Sequence, residues 1–248
     1  MNKLAVSIVT IILSSSPFVY AANESNTSFN KAKKMLERDV YPTHRQTLYC
    51  DAAFDEKKFV VPPEGFKTDK YVKRAKKIEW EHVVPAENFG RTFKEWRDGD
   101  ALCVDSKGKS FKGRKCAEKV NTEYRYMQAD MFNLYPAIGA VNALRKNYNF
   151  TMLPGEESDF GSCSMKVDSK KAEPPVVARG RIARTYLYME EAYSNYNMSK
   201  QQRQLMNAWD KMYPVNAWEC ERAKKISVLQ KSSNLVVQSR CEVKSLWK

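Results

Sequence analysis

The chain has 248 residues, with 42 Lys and Arg against 29 Asp and Glu, and a formal charge of +13. That length fits one rather large domain, and the positive excess requires an acidic partner: nucleic acid, anionic lipid or an acidic protein. The charge is dispersed, which excludes a disordered basic arm, and no segment after the N-terminal stretch resembles a membrane span.

Lys3, the apolar run Leu4–Leu13 and the small-x-small triplet Val19-Tyr20-Ala21 read as a cleaved secretory signal. Ser14 to Pro17 interrupts the run and makes it too short for an anchor. The expected division is a signal at 1–21 and one folded domain at 22–248. The mature chain carries +12, because Lys3 is the only charged residue removed.

Asn23 to Asn30 is a polar leader. Phe29 to Val40 has helical spacing (Phe29, Ala32, Met35 or Leu36, Val40) and is stopped by Pro42. Leu48 to Val61 fits a strand pair around Asp51 to Lys58, closed by Pro62-Pro63. Ile78 to Val84 is rich in β-branched and aromatic residues, ends at Pro85, and is expected to be a strand.

Gly99 to Lys119 reads as a loop closed by a disulfide. From Val120, residues Tyr124, Met127, Met131 and Leu134 recur on one helical face, although the first half fits a strand equally; Pro136 marks the end. Ala178 to Tyr196 and Gln201 to Met212 are two further helices, the second capped by Ser199. With no internal repeat or low-complexity segment, the fold class is α+β in a single domain.

Six cysteines behind a secretory signal read as three disulfides formed in an oxidising compartment. The absence of any CxxC pair, and the distance of both histidines from cysteine, argue against zinc. Six cysteines allow fifteen connectivities in principle. Proximity along the chain favours Cys103–Cys116 and Cys220–Cys241, leaving Cys50–Cys163.

The chemistry centres on Glu81-His82. A histidine can take a proton near neutral pH, and an adjacent carboxylate can hold a hard cation. Alternation along a strand sends the two side chains to opposite faces, so one can serve an ion and the other a water. The second metal ligand is expected in the segment Gln128 to Pro136. No carboxylate cluster suits a two-metal site, so a single ion follows. His44, after Pro42 and beside Arg45, fits a surface or structural role.

The segments Ile78-Glu-Trp-Glu-His-Val-Val-Pro-Ala86, Arg125-Tyr-Met-Gln-Ala-Asp-Met-Phe-Asn133-Leu134, Pro136-Ala-Ile-Gly-Ala-Val-Asn142, Ala178-Arg-Gly-Arg-Ile-Ala-Arg184-Thr-Tyr-Leu-Tyr-Met189 and Met212-Tyr-Pro-Val-Asn-Ala-Trp-Glu-Cys220 occur in that order. Together they resemble the bacterial endonuclease I family, periplasmic or secreted non-specific nucleases with a ββα-metal (His-Me finger) motif. The resemblance covers most of Arg74 to Arg222.

It implies that Glu81 and Asn133 are the ligands of one Mg²⁺, that His82 is the general base, and that Arg114 in Gly113-Arg-Lys-Cys116 steadies the transition-state phosphate. The stretch Trp96 to Phe111 is longer than the usual family loop. A further cysteine pair common in the family is absent, with Ala52 at one such place. Lys231-Ser-Ser-Asn-Leu235 stands where relatives carry Gly-Asn-His-Asn-Pro. Arg179, Arg181 and Arg184 on one helix, and Arg145, are expected to contact nucleic-acid phosphates.

The function expected is a periplasmic or secreted endonuclease acting on double- and single-stranded DNA and on RNA, monomeric and free of membrane once the signal is removed. The alternative is a non-catalytic extracellular nucleic-acid-binding protein, against which the set Glu81, His82 and Asn133 counts. A cationic membrane-active protein would need a basic helix with a continuous apolar face, which the chain lacks.

Overall fold

The structure is a computed structural model that describes residues 22–247. The signal expected at 1–21 lies outside the described residues. Ser28 accepts from the Lys31 amide and starts helix α1 (Phe29–Met35), which relaxes into a π-helical turn at Leu36–Val40. The short strands β1 (Ala53–Phe54) and β2 (Val60–Val61) pair antiparallel, within the hairpin expected from the sequence. The turn α2 (Val72–Ala75) then leads into β3 (Ile78–His82).

After β3 come the short helices α3 (Ala86–Gly90), α4 (Lys94–Arg97), α5 (Arg114–Val120) and α6 (Thr122–Gln128). The region expected to be loop up to Lys119 is thus helical from Arg114. The single helix expected from Val120 to Leu134 is also corrected. It ends at Gln128, a 3₁₀ turn occupies Met131–Asn133, and Leu134–Ile138 is strand β4. Its apolar spacing arises because Tyr124, Met127, Met131 and Leu134 are all buried, although they belong to three successive elements.

β4 pairs antiparallel with β3, Glu81 opposite Tyr135 and His82 opposite Leu134. Pro136 does not interrupt it. The ladder bonds Gly139 N–H to Lys77 O and Val83 N–H to Asn133 O place Trp80–Pro136 at a non-hydrogen-bonded pair, where the missing N–H would have pointed away from β3. The Pro136 carbonyl faces outward and accepts from Leu48 N–H at 2.8 Å.

Helix α7 (Gly139–Arg145) follows β4 directly. Strands β5 (Asn149–Phe150), β6 (Lys166–Asp168) and β7 (Lys171–Glu173) make a small mixed sheet in the order β5-β7-β6. The helical layer is α8 (Val176–Ala192), α9 (Lys200–Met212), α10 (Ala217–Gln230) and α11 (Leu235–Val243). Ser199, Asn216 and Asn234 cap the last three by accepting backbone N–H groups.

The centre of the core is α8, buried nearly all round, with Ile182, Ala183, Tyr186 and Met189 inaccessible to solvent. Gly180 is required there, since a Cβ would collide with the Tyr213 carbonyl. Disulfides join Cys50–Cys163, Cys103–Cys116 and Cys220–Cys241. The first ties the segment before β1 to the segment before β6, the second closes the loop before α5, and the third staples α10 to α11. Among the described residues no helix is long and apolar enough to cross a membrane.

Candidate active site

The end of β3 opens into a cleft lined by Trp80, Glu81, His82, Arg114, Asn142 and Lys146, among others. Ladder bonds to β4 fix this strand, and Phe29 and Phe89 wall in the His82 ring, with centroids at 4.8 and 6.4 Å. His82 Nε2 lies 2.9 Å from the Gln128 carbonyl oxygen. A carbonyl only accepts, so Nε2 carries the proton and Nδ1 is the basic nitrogen. Burial, with Arg114 nearby, pushes the imidazole down to about 3. The ring is therefore neutral at physiological pH, as a proton acceptor must be.

Glu81 is 4% exposed and is held by two donors on one oxygen: Tyr49 O–H at 2.6 Å and Arg145 Nη1 at 2.7 Å, both to Oε1. Burial raises its pKa, opposed by the Arg145 guanidinium and the Tyr49 hydroxyl. Oε2 is the oxygen with capacity for another partner. Arg145 also binds the carbonyls of His82 and Val83 at 2.9 and 2.6 Å, clamping the strand end that carries both functional side chains.

Arg114 is the first residue of α5. Its Nε donates to Gln128 Oε1 at 2.9 Å, and its guanidinium lies over the Phe29 ring at 5.6 Å. This bond leaves the two terminal nitrogens for an anion in the cleft. Gln128 joins both groups, since its backbone carbonyl fixes the His82 tautomer and its amide anchors Arg114. Tyr124 O–H and Glu118 complete that amide's bonds at 3.0 and 3.1 Å.

Asn133 does not reach the cleft, which corrects its expected role as a metal ligand. It is fully buried, and its amide is spent on one backbone unit, accepting from Val84 N–H at 2.8 Å and donating to Val84 O at 3.0 Å. It extends the β3–β4 ladder just past His82. The amide that does line the cleft is Asn142 on α7. Its Nδ2 donates to Glu79 Oε2 at 2.9 Å, and Glu79 is held by Arg74 Nε at 2.7 Å. Oδ1 is the Asn142 atom left to ligate.

Three of the four arginines expected to contact nucleic acid are engaged within the fold. Arg145 is fully buried beneath the cleft as the partner of Glu81. Arg184 is 1% exposed and makes a bidentate pair with Glu219 at 2.6 and 2.6 Å, plus a bond to Asp210 at 3.0 Å. Arg179 is buried against Glu173 at 2.7 Å. Arg181 spends its guanidinium on the Leu48 and Val177 carbonyls and does not line the cleft. Arg179, Arg181 and Arg184 hold α8 to its neighbours, Arg184 through acidic residues 26 and 35 positions along the chain. His44 stacks on Trp218 at 3.9 Å, away from the cleft.

Sequence reasoning missed Tyr49, Glu79, Gln128 and Asn142 as parts of the site. Glu79 carries a signal, since it shares a strand face with Glu81 two residues on. Asn142 ends the segment Pro136–Asn142, which carried the resemblance but no expected role; the β4–α7 junction places it in the same cleft wall as Glu81. Among the described residues no group of three or more His, Cys, Asp or Glu could hold a metal. A site built on Glu81 Oε2 and Asn142 Oδ1 has hard oxygen donors and little charge. That suits a cation such as Mg²⁺, which keeps several waters, and does not suit zinc.

The family model described as Endonuclease I matches residues 16–241. An extracellular deoxyribonuclease of Aeromonas hydrophila is 38% identical over 249 residues, covering 98% of this chain and 100% of that protein. A periplasmic deoxyribonuclease of the same species is 40% identical over 228 residues, 89% of each chain. An Endonuclease-1 of Buchnera aphidicola subsp. Acyrthosiphon pisum (strain APS) is 35% identical over 238 residues, 90% of this chain and 89% of that protein.

Proposed function

Because the chain belongs to the endonuclease I family, we propose that it is a periplasmic or secreted endonuclease. It hydrolyses phosphodiester bonds of DNA, and of RNA, without sequence preference. The observation that carries this reading is the cleft itself. It joins a neutral histidine with its basic nitrogen unspent, an arginine anchored through Nε, and two hard oxygen donors. The relatives, extracellular and periplasmic deoxyribonucleases, support the substrate and the location. The sequence β3, β4, α7 supports reading this region as the ββα-metal unit.

His82 Nδ1 takes the proton of the attacking water, and the Gln128 carbonyl stabilises the resulting imidazolium through Nε2–H. Arg114 offers its terminal N–H groups to the phosphate as negative charge grows. Glu81 and Asn142 would hold one Mg²⁺, which when bound supplies charge neutralisation at the phosphate and leaving oxygen. Arg145 and Tyr49 fix Glu81, while Glu79 fixes Asn142, so the donors are positioned before substrate arrives. Contacts to phosphate rather than to base edges account for absent sequence preference.

The test is plasmid digestion with Mg²⁺ and with chelator, for wild type and His82→Ala, beside a thermal melt of both. Loss of the base is expected to cost about 10²–10⁴-fold in rate with little change in melting. Equal cutting by the variant, or indifference to chelator, overturns the mechanism. Retention of DNA without cutting by the wild type would favour the non-catalytic binder.

A further inference from the structure

With Arg145, Arg179 and Arg184 buried in ion pairs, the positive charge available to a polyanion lies elsewhere. The densest run is Lys67 to Lys77, which holds Lys67, Lys70, Lys73, Arg74, Lys76 and Lys77 against the single carboxylate Asp69. Every one of these cations is exposed. Lys70 pairs with Asp159 and Arg74 with Glu79. Lys67, Lys73 and Lys76 make no ion pair among the described residues, so their charge is not neutralised within the protein.

The run is also held rigidly. Val60 N–H donates to Lys76 O and Ile78 N–H to Lys58 O at 3.0 Å each, and Lys67 N–H donates to Phe160 O at 3.3 Å. Two exposed aromatic rings, one within the run and one on the adjoining segment, lie against these cations. Tyr71, 41% exposed, lies under Arg74 at 5.7 Å, and Phe59, 44% exposed, lies under Lys77 at 4.4 Å. These are the two large aromatic side chains that are exposed among the described residues. Cations interleaved with open rings are the composition of nucleic-acid tracking surfaces.

The run joins the cleft directly. Arg74 holds Glu79, and Glu79 holds Asn142 in the cleft wall. Helix α7 packs so tightly on this turn that a Cβ at Gly139 would lie 2.5 Å from the Arg74 carbonyl. From Lys77 to His82 is five residues of extended chain, about 16 Å at ~3.3 Å per residue. That is roughly five steps of a DNA strand.

We infer that the Lys67–Lys77 turn is a nucleic-acid docking surface outside the catalytic cleft, binding backbone phosphates of the strand that flanks the scissile bond. The inference rests on the nuclease reading for its ligand, and deepens it by assigning where the flanking strand lies. Lys67, Lys73 and Lys76 supply the free charge, and Arg74 marks where the surface meets the cleft.

The experiment compares Lys67→Ala/Lys73→Ala/Lys76→Ala with an equal-charge control, Lys200→Ala/Lys211→Ala/Lys244→Ala, exposed lysines on and beyond α9 and α11. Binding of a labelled 20-base-pair duplex is measured against salt in the His82→Ala background. Turnover of duplex DNA and of bis(p-nitrophenyl) phosphate is measured in the active protein. The turn variant is expected to lower the salt slope by about two to three, one per lost phosphate contact. It should also lower kcat/KM on DNA about tenfold or more at 0.15 M salt, while turnover of the small diester stays unchanged.

An unchanged slope, or an equal fall in the control, overturns the inference while wild-type DNA cleavage leaves the nuclease reading standing. A lowered slope in a protein that cleaves neither substrate supports the surface and overturns the nuclease reading.

Discussion

Two regions of this molecule are rich in arginine and use it in opposite ways. In α8, Arg179 and Arg184 are buried against Glu173, Glu219 and Asp210, and their charge is consumed in holding helices together. At the cleft, Arg114 is tied through Nε to a neutral amide and faces no carboxylate in an ion pair among the described residues, so its charge is available to a ligand. Arg145 stands between the two: it is as buried as Arg184, yet its partner Glu81 lines the cleft. The carboxylate opposite an arginine, rather than the arginine's neighbours in sequence, decides whether it is structural or functional.

The sharpest way to break this comparison is to remove one arginine from each region. Arg184→Met leaves Glu219 buried without its partner and is expected to cost about 3–5 kcal/mol of stability, read by chemical denaturation. Arg114→Met should leave the denaturation midpoint unchanged and reduce kcat about 10²–10³-fold, or ~2.7–4 kcal/mol in the barrier. Should Arg114→Met unfold the protein, or Arg184→Met stay as stable as wild type while losing activity, the assignment would be reversed.

The two asparagines draw the same contrast on a smaller scale. Asn133→Ala strips both bonds from the buried Val84 peptide unit and should cost about 1–3 kcal/mol of stability. Asn142→Ala should leave stability nearly unchanged and raise the Mg²⁺ concentration for half-maximal activity about tenfold, ~1.4 kcal/mol in ion binding. A metal titration of both variants distinguishes them; a larger Mg²⁺ shift in Asn133→Ala than in Asn142→Ala would refute the placement of the ligand on α7.

What could be seen in the sequence depended on how far each signal reaches. Strand β3 was legible from its β-branched and aromatic run closed by Pro85, and α9 from its spacing and the Ser199 cap. The stretch from Val120 to Leu134 misled because apolar spacing cannot separate one helix from a helix, a 3₁₀ turn and a strand that are each buried at those positions. Pro136 looked like a terminator, and only the register of β3 and β4 shows that no ladder bond needed its N–H.

By itself, the sequence determined the chemistry that this protein carries: the adjacent carboxylate and imidazole at Glu81 and His82, the arginine before Cys116, and an excess of positive charge. Those are properties of residue type and short spacing, which survive any fold. Tertiary structure alone decided which partners those groups meet. Asn142 reaches the cleft and Asn133 does not, because β4 ends in a helix that packs against β3. Three of the four arginines expected to contact nucleic acid are neutralised within the fold, because burying a guanidinium requires a carboxylate or carbonyls beside it, and for Arg145 and Arg184 these come from residues far along the chain.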